Sequence, residues 1–341
     1  MSSPLERPAP PAPASRTGLL EGFLVDADGG AHPILPETLA ADPALRPPEG
    51  GYVWLHFELD AARLWAPVHM DLDETTQRAL FALETRPRFT PHDGQILMNL
   101  RGVNLNEGHE PEEMLSLRIH LEPGRLITVR RQRSVAIEAI REDLRSDRAP
   151  ADPGTLLLRI VSGLNDRIEP VVDALSDRVD GLEELSLRPD AADIRAELSS
   201  MRHDALVFRR YIAPQREAVM RFATTESPLL PASERVTARE EADRVTRVVE
   251  ELDITRERAA VIHEQIAARR ADEMNRNMMI LSVVSAVFLP LGFVTGLLGI
   301  NVAGMPGAEW QPAFWIVCAF CAALGGLLGF VFYRLGWLRP G

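Results

Sequence analysis

One short motif near the C-terminus offers chemistry: Gly299-Ile300-Asn301, at the end of an uncharged apolar run. The carboxamide oxygen of Asn301 is a hard acceptor that suits the waters around a divalent cation, and magnesium in particular dehydrates reluctantly. An asparagine that follows a glycine at a helix end is also a common cap, so the residues alone leave both interpretations open. Glu309 is the only charge before the next apolar run, and it is either a solvated loop acid or an attracting charge.

Other candidate ligands have weaker patterns. Cys318 and Cys321 have C-x-x-C spacing, but they lie in an apolar run without histidine or acid, which favours ordinary packing. Three histidine–acid pairs lack zinc-finger or H-E-x-x-H spacing and are typical of surface charge: His92-Asp93, His203-Asp204 and His263-Glu264. No metal-ligating or catalytic residue is therefore assigned. The sequence also lacks phosphate-loop, nucleophile-elbow and kinase signatures, so we expect neither an enzyme nor a cofactor.

The charges are distributed unevenly along the 341 residues. Lys+Arg total 37, all of them arginine, and Asp+Glu total 49, which gives a net charge of −12. The stretch 271–341 is neutral, so the whole excess of acid lies upstream. Nucleic-acid binders need basic stripes, so this class of partner is excluded; the acidic body either keeps the protein soluble or gathers cations.

Two apolar runs near the C-terminus are long enough to cross a bilayer. Residues 278–300 and 313–333 contain no charged side chain, and arginines lie just outside them. At about 1.5 Å per residue, each helix exceeds the roughly 30 Å hydrocarbon core. The first run contains Pro290 and several glycines, which a plain anchor does not need and which indicate close helix packing or a pore wall.

Arginine placement predicts the orientation. Arg269, Arg270 and Arg276 precede the first span, Arg334 and Arg339 follow the second, and the connecting loop has no base. By the positive-inside rule, both termini are cytoplasmic and the loop faces outward.

A long helix leads into the first span. No glycine or proline occurs between Pro231 and Pro290, and a helix from Ser233 to Ile300 would be about 100 Å long. Such a helix needs companions, and segments 155–187 and 191–222 are predicted to supply two in the same chain. The stalk carries a heptad-like apolar stripe: Val245, Val248, Leu252, Ala259, Ile262 and Ile266.

Upstream, the apolar period changes to two. In residues 114–122, MLSLRIHLE, leucine and isoleucine alternate with polar residues, which predicts a half-buried strand followed by a Pro123-Gly124 turn. Further strands are predicted near 23–25, 52–57, 95–103 and 126–129, and helices at 72–83 and 135–144. The pattern indicates a cytosolic α/β domain.

These features together resemble the CorA superfamily of divalent-cation transporters. The resemblance is carried by VFLPLGFVTGLLGIN, by the segment ALVFRRYIAPQREAV and by the order of elements. Members end their first span with Gly-Met-Asn, whereas Ile300 stands here at the methionine position. The glycine-rich VAGMPGAEW that follows is more similar to the zinc-transporting ZntB branch.

The resemblance implies a homopentamer in the bilayer, with five copies of Asn301 forming a ring that selects hydrated cations. It places Gly299, Ile300, Asn301 and Glu309 at the pore mouth. It further implies that one face of the first span lines the pore: Met278, Leu281, Leu289 and Gly292. Because these residues carry no charge, ions would pass hydrated and the apolar rings would gate by dewetting.

The expected fold class is α+β: an N-terminal cytosolic α/β domain, then long antiparallel helices whose stalk continues into the first of two transmembrane helices. The expected segments are a disordered tail 1–17, the α/β domain 18–150, long helices and stalk 151–277, span 278–300, outer loop 301–312, span 313–333 and cytosolic terminus 334–341. The expected function is zinc transport across a bacterial inner membrane, with proton coupling left open. A magnesium or cobalt channel of the CorA type, nickel as a further ion, and a membrane-anchored scaffold or sensor without conduction are the alternatives.

Overall fold

The computed structural model describes residues 16–146, 148–187, 194–300, 307 and 310–335. The chain divides into two compact units, with the boundary between Ile262 and His263. Most of the predicted tail, together with Asn301 and Glu309, lies outside the described residues.

The first unit contains a seven-stranded mixed sheet in the order β2-β1-β3-β7-β6-β5-β4. Central β3 pairs with β7 in parallel, and every other neighbouring pair is antiparallel. The strands are β1 Leu19–Val25, β2 Ala31–Pro33, β3 Tyr52–Glu58, β4 Arg88–His92, β5 Gln95–Gly102, β6 Leu115–Glu122 and β7 Arg125–Arg130.

Eight α-helices accompany the strands in the described part of the chain. They are α1 Pro36–Ala41, α2 Leu59–His69, α3 Glu74–Leu80, α4 Val135–Arg145, α5 Pro153–Ser186, α6 Ile194–Thr224, α7 Arg235–Leu298 and α8 Ala313–Arg334.

Both faces of the sheet are covered. Helix α2 contacts β3 and α3 contacts β6, whereas α5 contacts β3, β5, β6 and β7. Residues 52–57 of β3 are accordingly buried without interruption, as expected of a central strand with layers on both sides. The α+β class is confirmed.

The prediction that β6 is half-buried was wrong. Its leucines and isoleucine are buried, but so are Arg118 and His120 on the other face. The Arg118 guanidinium donates to the carbonyl oxygens of Ala82 and Leu83, and His120 bonds Gln95 at 2.7 Å. A polar residue at an alternate position is therefore compatible with burial where a covering segment supplies acceptors.

Sequence patterns found five of the seven strands and missed the short β2 and β4, as well as α1 and α2. The helix predicted at 72–83 is shorter, because the Asp73 carboxylate accepts from the N–H groups of Thr75 and Thr76 and fixes the start of α3. The stalk begins with a 3₁₀ turn at Ala232–Glu234 and ends at Leu298 rather than Ile300.

The three long helices form a bundle in which α5 and α7 run in the same direction. Glu169 bonds Arg244, Ser176 bonds Glu251 and Glu183 bonds Arg258, a constant offset along both helices. The bonded residues recur every seven positions on each helix, so α5 and α7 keep one register as parallel coiled-coil helices do.

Arg244 is the centre of this register. Its guanidinium contacts Glu169 at 2.7 Å, Asp166 at 2.8 Å and Glu241 at 3.1 Å. The hydrogen bond to Glu169 and the neighbouring charges raise the pKa of Arg244 above its ordinary value. Glu241, which is buried, also accepts from Asn165 at 2.7 Å. The first part of the stalk is thus fixed within its own chain.

Candidate ion pathway

The second unit contains the two apolar helices, the membrane half of α7 and the whole of α8. Both are long and apolar enough to cross a membrane. In the most apolar window only 6% of the α7 residues and none of the α8 residues are buried. A core helix of a soluble protein would be covered by its own chain, so these surfaces need lipid or further copies of the chain.

One face of α7 in this unit is partly covered. Val283 is only 7% exposed, and Met279, Val287, Leu291 and Val294 are half-buried, at steps of three or four residues. We call these five residues the covered ridge.

Helix α8 has a matching half-buried face. It consists of Ala313, Val317, Cys321, Leu324, Gly325, Leu328, Gly329 and Phe332. A Cβ placed on Gly325 would lie 3.6 Å from Leu291 Cδ1, so the two faces meet where glycine permits close approach. The covered ridge therefore faces α8.

The residues expected to line a pore lie on the opposite face of α7. Met278, Leu281, Leu289 and Gly292 fall within an arc of about 80° at 3.6 residues per turn, roughly half a turn away from the covered ridge. Leu281 is 67% exposed and Leu289 is 79% exposed. A Cβ at Gly292 would meet no atom within 4 Å. We call this face the open stripe.

The outer end of α7 is closed by backbone hydrogen bonds. The Gly299 N–H donates to Thr295 O at 3.0 Å and to Gly296 O at 3.2 Å. Ile300 follows outside the helix and is about half exposed. Asn301 and Glu309 lie beyond the described residues, so their roles at the pore mouth stay predictions.

The weaker candidate ligands are not brought together. Cys318 is exposed and Cys321 belongs to the α8 face turned toward α7, with neither in a disulfide. His92 contacts Asp73 at 3.2 Å, and Asp73 is already engaged as the cap of α3. Burial, followed by the charge of Glu112, raises the pKa of Asp204. Among the described residues, no group of three or more histidine, cysteine or acidic side chains is arranged to hold a metal.

A covered α/β domain, a long helix bundle and an apolar hairpin continuous with its last helix define a membrane transport architecture. The chain belongs to the CorA-like Mg²⁺ transporter family, whose sequence profile matches residues 49–334. It is a divalent-cation transporter and not an enzyme.

Curated relatives match nearly the whole chain. The divalent cation transporter CmaX of Pseudomonas aeruginosa is 33% identical over 325 residues, covering 94% of this chain and 97% of the relative. The zinc transport protein ZntB of Pectobacterium carotovorum is 30% identical over 324 residues, covering 94% and 97%.

Solved structures agree on the fold. The full-length CmaX structure superposes with a TM-score of 0.82 at 32% identity, covering 94% of this chain and 98% of that one. The CorA magnesium transporter of Methanocaldococcus jannaschii gives 0.75 at 15% identity, covering 93% and 98%, and at this identity it supports the fold alone. The resemblance and the fold class are confirmed.

Proposed function

We propose that five copies of this chain surround a pore lined by the open stripe of α7, and that zinc is the principal ion carried. The observation that carries the proposal is the position of the open stripe, which lies opposite the ridge that α8 covers. In a ring of hairpins with α7 inside and α8 outside, this stripe is the surface that the chain cannot cover by itself.

Glycines on the open stripe support an inner position. Gly292, Gly296 and Gly299 follow each other at steps of four and three residues. Near its outer end the stripe therefore presents backbone without side chains. Small residues allow neighbouring helices to approach closely in membranes. A stripe facing only lipid would gain nothing from exposing backbone.

The absence of charge supports passage of a hydrated ion. Asn277 to Ala308 holds no acid, base or histidine. No side chain there offers a fixed anionic ligand, so selection is expected from the Asn301 ring acting on the ion's water shell. A proton that accompanied zinc would have to move through water or through groups outside the span.

Zinc is favoured over magnesium by two features of the chain. The relatives named as zinc transport proteins match it over almost its full length, and Ile300 replaces the methionine of the magnesium-type signature. Magnesium, cobalt and nickel are the competing ions, because the CmaX relative is named only as a divalent cation transporter. The arginine distribution supports an inner-membrane protein with both termini cytoplasmic.

Ion flux into proteoliposomes tests this proposal. Zinc, cobalt, nickel and magnesium are supplied in turn to vesicles holding an entrapped dye, with and without a pH gradient, and the oligomer is sized by native mass spectrometry. A pentamer with zinc flux above magnesium flux is the expected result. A monomer or dimer, together with vesicles that admit none of the ions, would instead favour a scaffold or sensor.

Substitutions at Asn301 test the selectivity ring within the same assay. Asn301→Ala should abolish uptake, and Asn301→Asp should abolish it or change its ion selectivity, with the pentamer retained in both. Parental flux through Asn301→Ala would contradict the proposed selectivity ring.

A further inference from the structure

Ser285 lies on the open stripe, between the two leucines that the family resemblance places at the pore. The stripe steps from Met278 to Leu281, Ser285, Leu289 and Gly292 at intervals of three, four, four and three residues. At 3.6 residues per turn, Ser285 falls inside the same arc of about 80°. It is exposed, and on the stripe between Met278 and Gly299 it is the one polar side chain.

The hydrogen bond that the Ser285 hydroxyl makes within its own helix leaves its oxygen able to accept from a ligand. Its Oγ donates to the Leu281 carbonyl oxygen at 2.8 Å. A hydroxyl has one proton and two acceptor lone pairs, so the proton is used within the helix and the lone pairs remain for a ligand. Acceptor oxygens suit the outward-pointing hydrogens of a cation's water shell.

The position of Ser285 along the helix axis is equally specific. Leu281 and Leu289 are about 12 Å apart at 1.5 Å per residue, and Ser285 is midway, roughly 6 Å from each. In a ring of chains, the two leucines form apolar constrictions of the kind that gate by dewetting. Without a polar group between them, the apolar passage from Met278 to Leu289 would extend about 16 Å.

We propose that five Ser285 hydroxyls form a mid-membrane binding site for a hydrated divalent cation, between the Leu281 and Leu289 constrictions. The site holds the water shell rather than the bare ion and divides the apolar passage into two short steps. This inference rests on the proposed pore, because the hydroxyls converge only if the open stripe faces the axis.

Ser282 is the natural control. It belongs to the same helix turn and is also exposed, but lies about 60° from the centre of the stripe and outside its arc of about 80°. We expect Ser285→Ala to lower zinc flux about tenfold, which corresponds to about 1.4 kcal/mol in the barrier. Ser285→Thr should retain most of the flux because it keeps the hydroxyl, and Ser282→Ala should match the parent.

Cysteine labelling separates this inference from the pore itself. The chain has two cysteines, so Cys318→Ser with Cys321→Ser provides a thiol-free background. Single cysteines at 281, 282, 285 and 289 are then exposed to a cationic, membrane-impermeant methanethiosulfonate, and labelling is scored by intact mass as well as by flux.

Labelling of Ser285→Cys with loss of flux, and protection of Ser282→Cys, are the expected results. Parental flux in Ser285→Ala would overturn the binding site, and so would protection of Ser285→Cys while Leu281→Cys and Leu289→Cys are labelled. The pore would stand in both cases. Protection of all the stripe cysteines would overturn the pore and the site together.

Discussion

The two halves of α7 use similar apolar residues in opposite ways. In the stalk half, Leu252 is 0% exposed and Val245 is 2% exposed inside a single chain. In the membrane half, Leu289 is 79% exposed although the helix is continuous. The stalk stripe is covered by other parts of the same chain, whereas the open stripe is left uncovered by the described residues. Burial is therefore decided by what surrounds a helix rather than by its composition.

The repeats of the two stripes also differ. Val245, Leu252, Ala259 and Ile266 are seven residues apart, whereas Met278 and Leu289, like Leu281 and Gly292, are eleven apart. A seven-residue repeat favours left-handed supercoiling, and an eleven-residue repeat favours straight or right-handed packing. One helix thus carries a bundle interface and a differently wound membrane interface in sequence.

The sharpest test of this comparison exchanges the same residue type in each half. Leu252→Ala should lower the free energy of opening of the stalk bundle by about 3 kcal/mol, because it leaves a cavity in a covered core. Leu289→Ala should change that value by less than about 0.5 kcal/mol and should instead raise ion leak through a widened constriction. Hydrogen exchange of peptides from 235–262, read beside vesicle flux, measures both. Equal stability losses for the two variants would break the comparison.

A second test concerns the ion pairs that join α7 to α5 in the stalk half alone. Arg244→Met removes the shared partner of Glu169, Asp166 and the buried Glu241, and should cost about 2 kcal/mol. Arg258→Met should cost at most about 1 kcal/mol, because Arg258 is more exposed than Arg244 and neither of its acidic partners is buried. Hydrogen exchange of α5 peptides, at low and high salt, separates the two variants. The comparison would be weakened if Arg258→Met were the more damaging.

The smallest expected effect is a pH dependence confined to the first unit. Burial, followed by the charge of Arg125, lowers the pKa of His120 to about 4. An unfolded histidine titrates near 6.5, so below that pH the unfolded chain binds a proton that the folded domain excludes. Stability from His120 is complete above about pH 6.5 and should fall by roughly 1 kcal/mol by about pH 5.5.

Thermal unfolding of the first unit, followed within the full chain at the two pH values, measures this loss. His120→Gln should reduce the dependence to the share contributed by buried His56, whose pKa is also lowered, chiefly by burial. The membrane half should not respond, since residues 277–300 contain no ionisable side chain. A steeper pH dependence in His120→Gln would contradict the assignment.

Sequence patterns predicted those parts of the fold whose signal lies within a short stretch of neighbouring residues. The central strand β3 is a continuous apolar run, and the membrane helices are marked by the absence of charge. The burial of Arg118 was not predictable from β6, since its acceptors at Ala82 and Leu83 lie some 35 residues away. Short strands such as β2 and β4 contain too few residues to show an alternation of apolar and polar side chains. They form through pairing with their neighbours β1 and β5.

The candidate site divides in the same way. The sequence supplied Met278, Leu281, Leu289 and Gly292 through resemblance, and their spacing placed them on one face of a helix. It passed over Ser285, because a single serine in an apolar run has no signal until its neighbours on the stripe are known. The hydroxyl's bond to Leu281 then showed which part of the group is free to accept.

By itself, the sequence determined that this chain has a long acidic body, two apolar helices with arginine-flanked ends, and the periodic faces of its long helix. These follow from hydropathy, charge and the fixed 3.6-residue turn, which act over short distances. Only the tertiary structure decided that α5 and α7 share one register through Arg244, and that α8 covers one face of α7 while the opposite face stays open. Helical periodicity creates the faces, but contacts between residues far apart in the chain determine which face each neighbour takes.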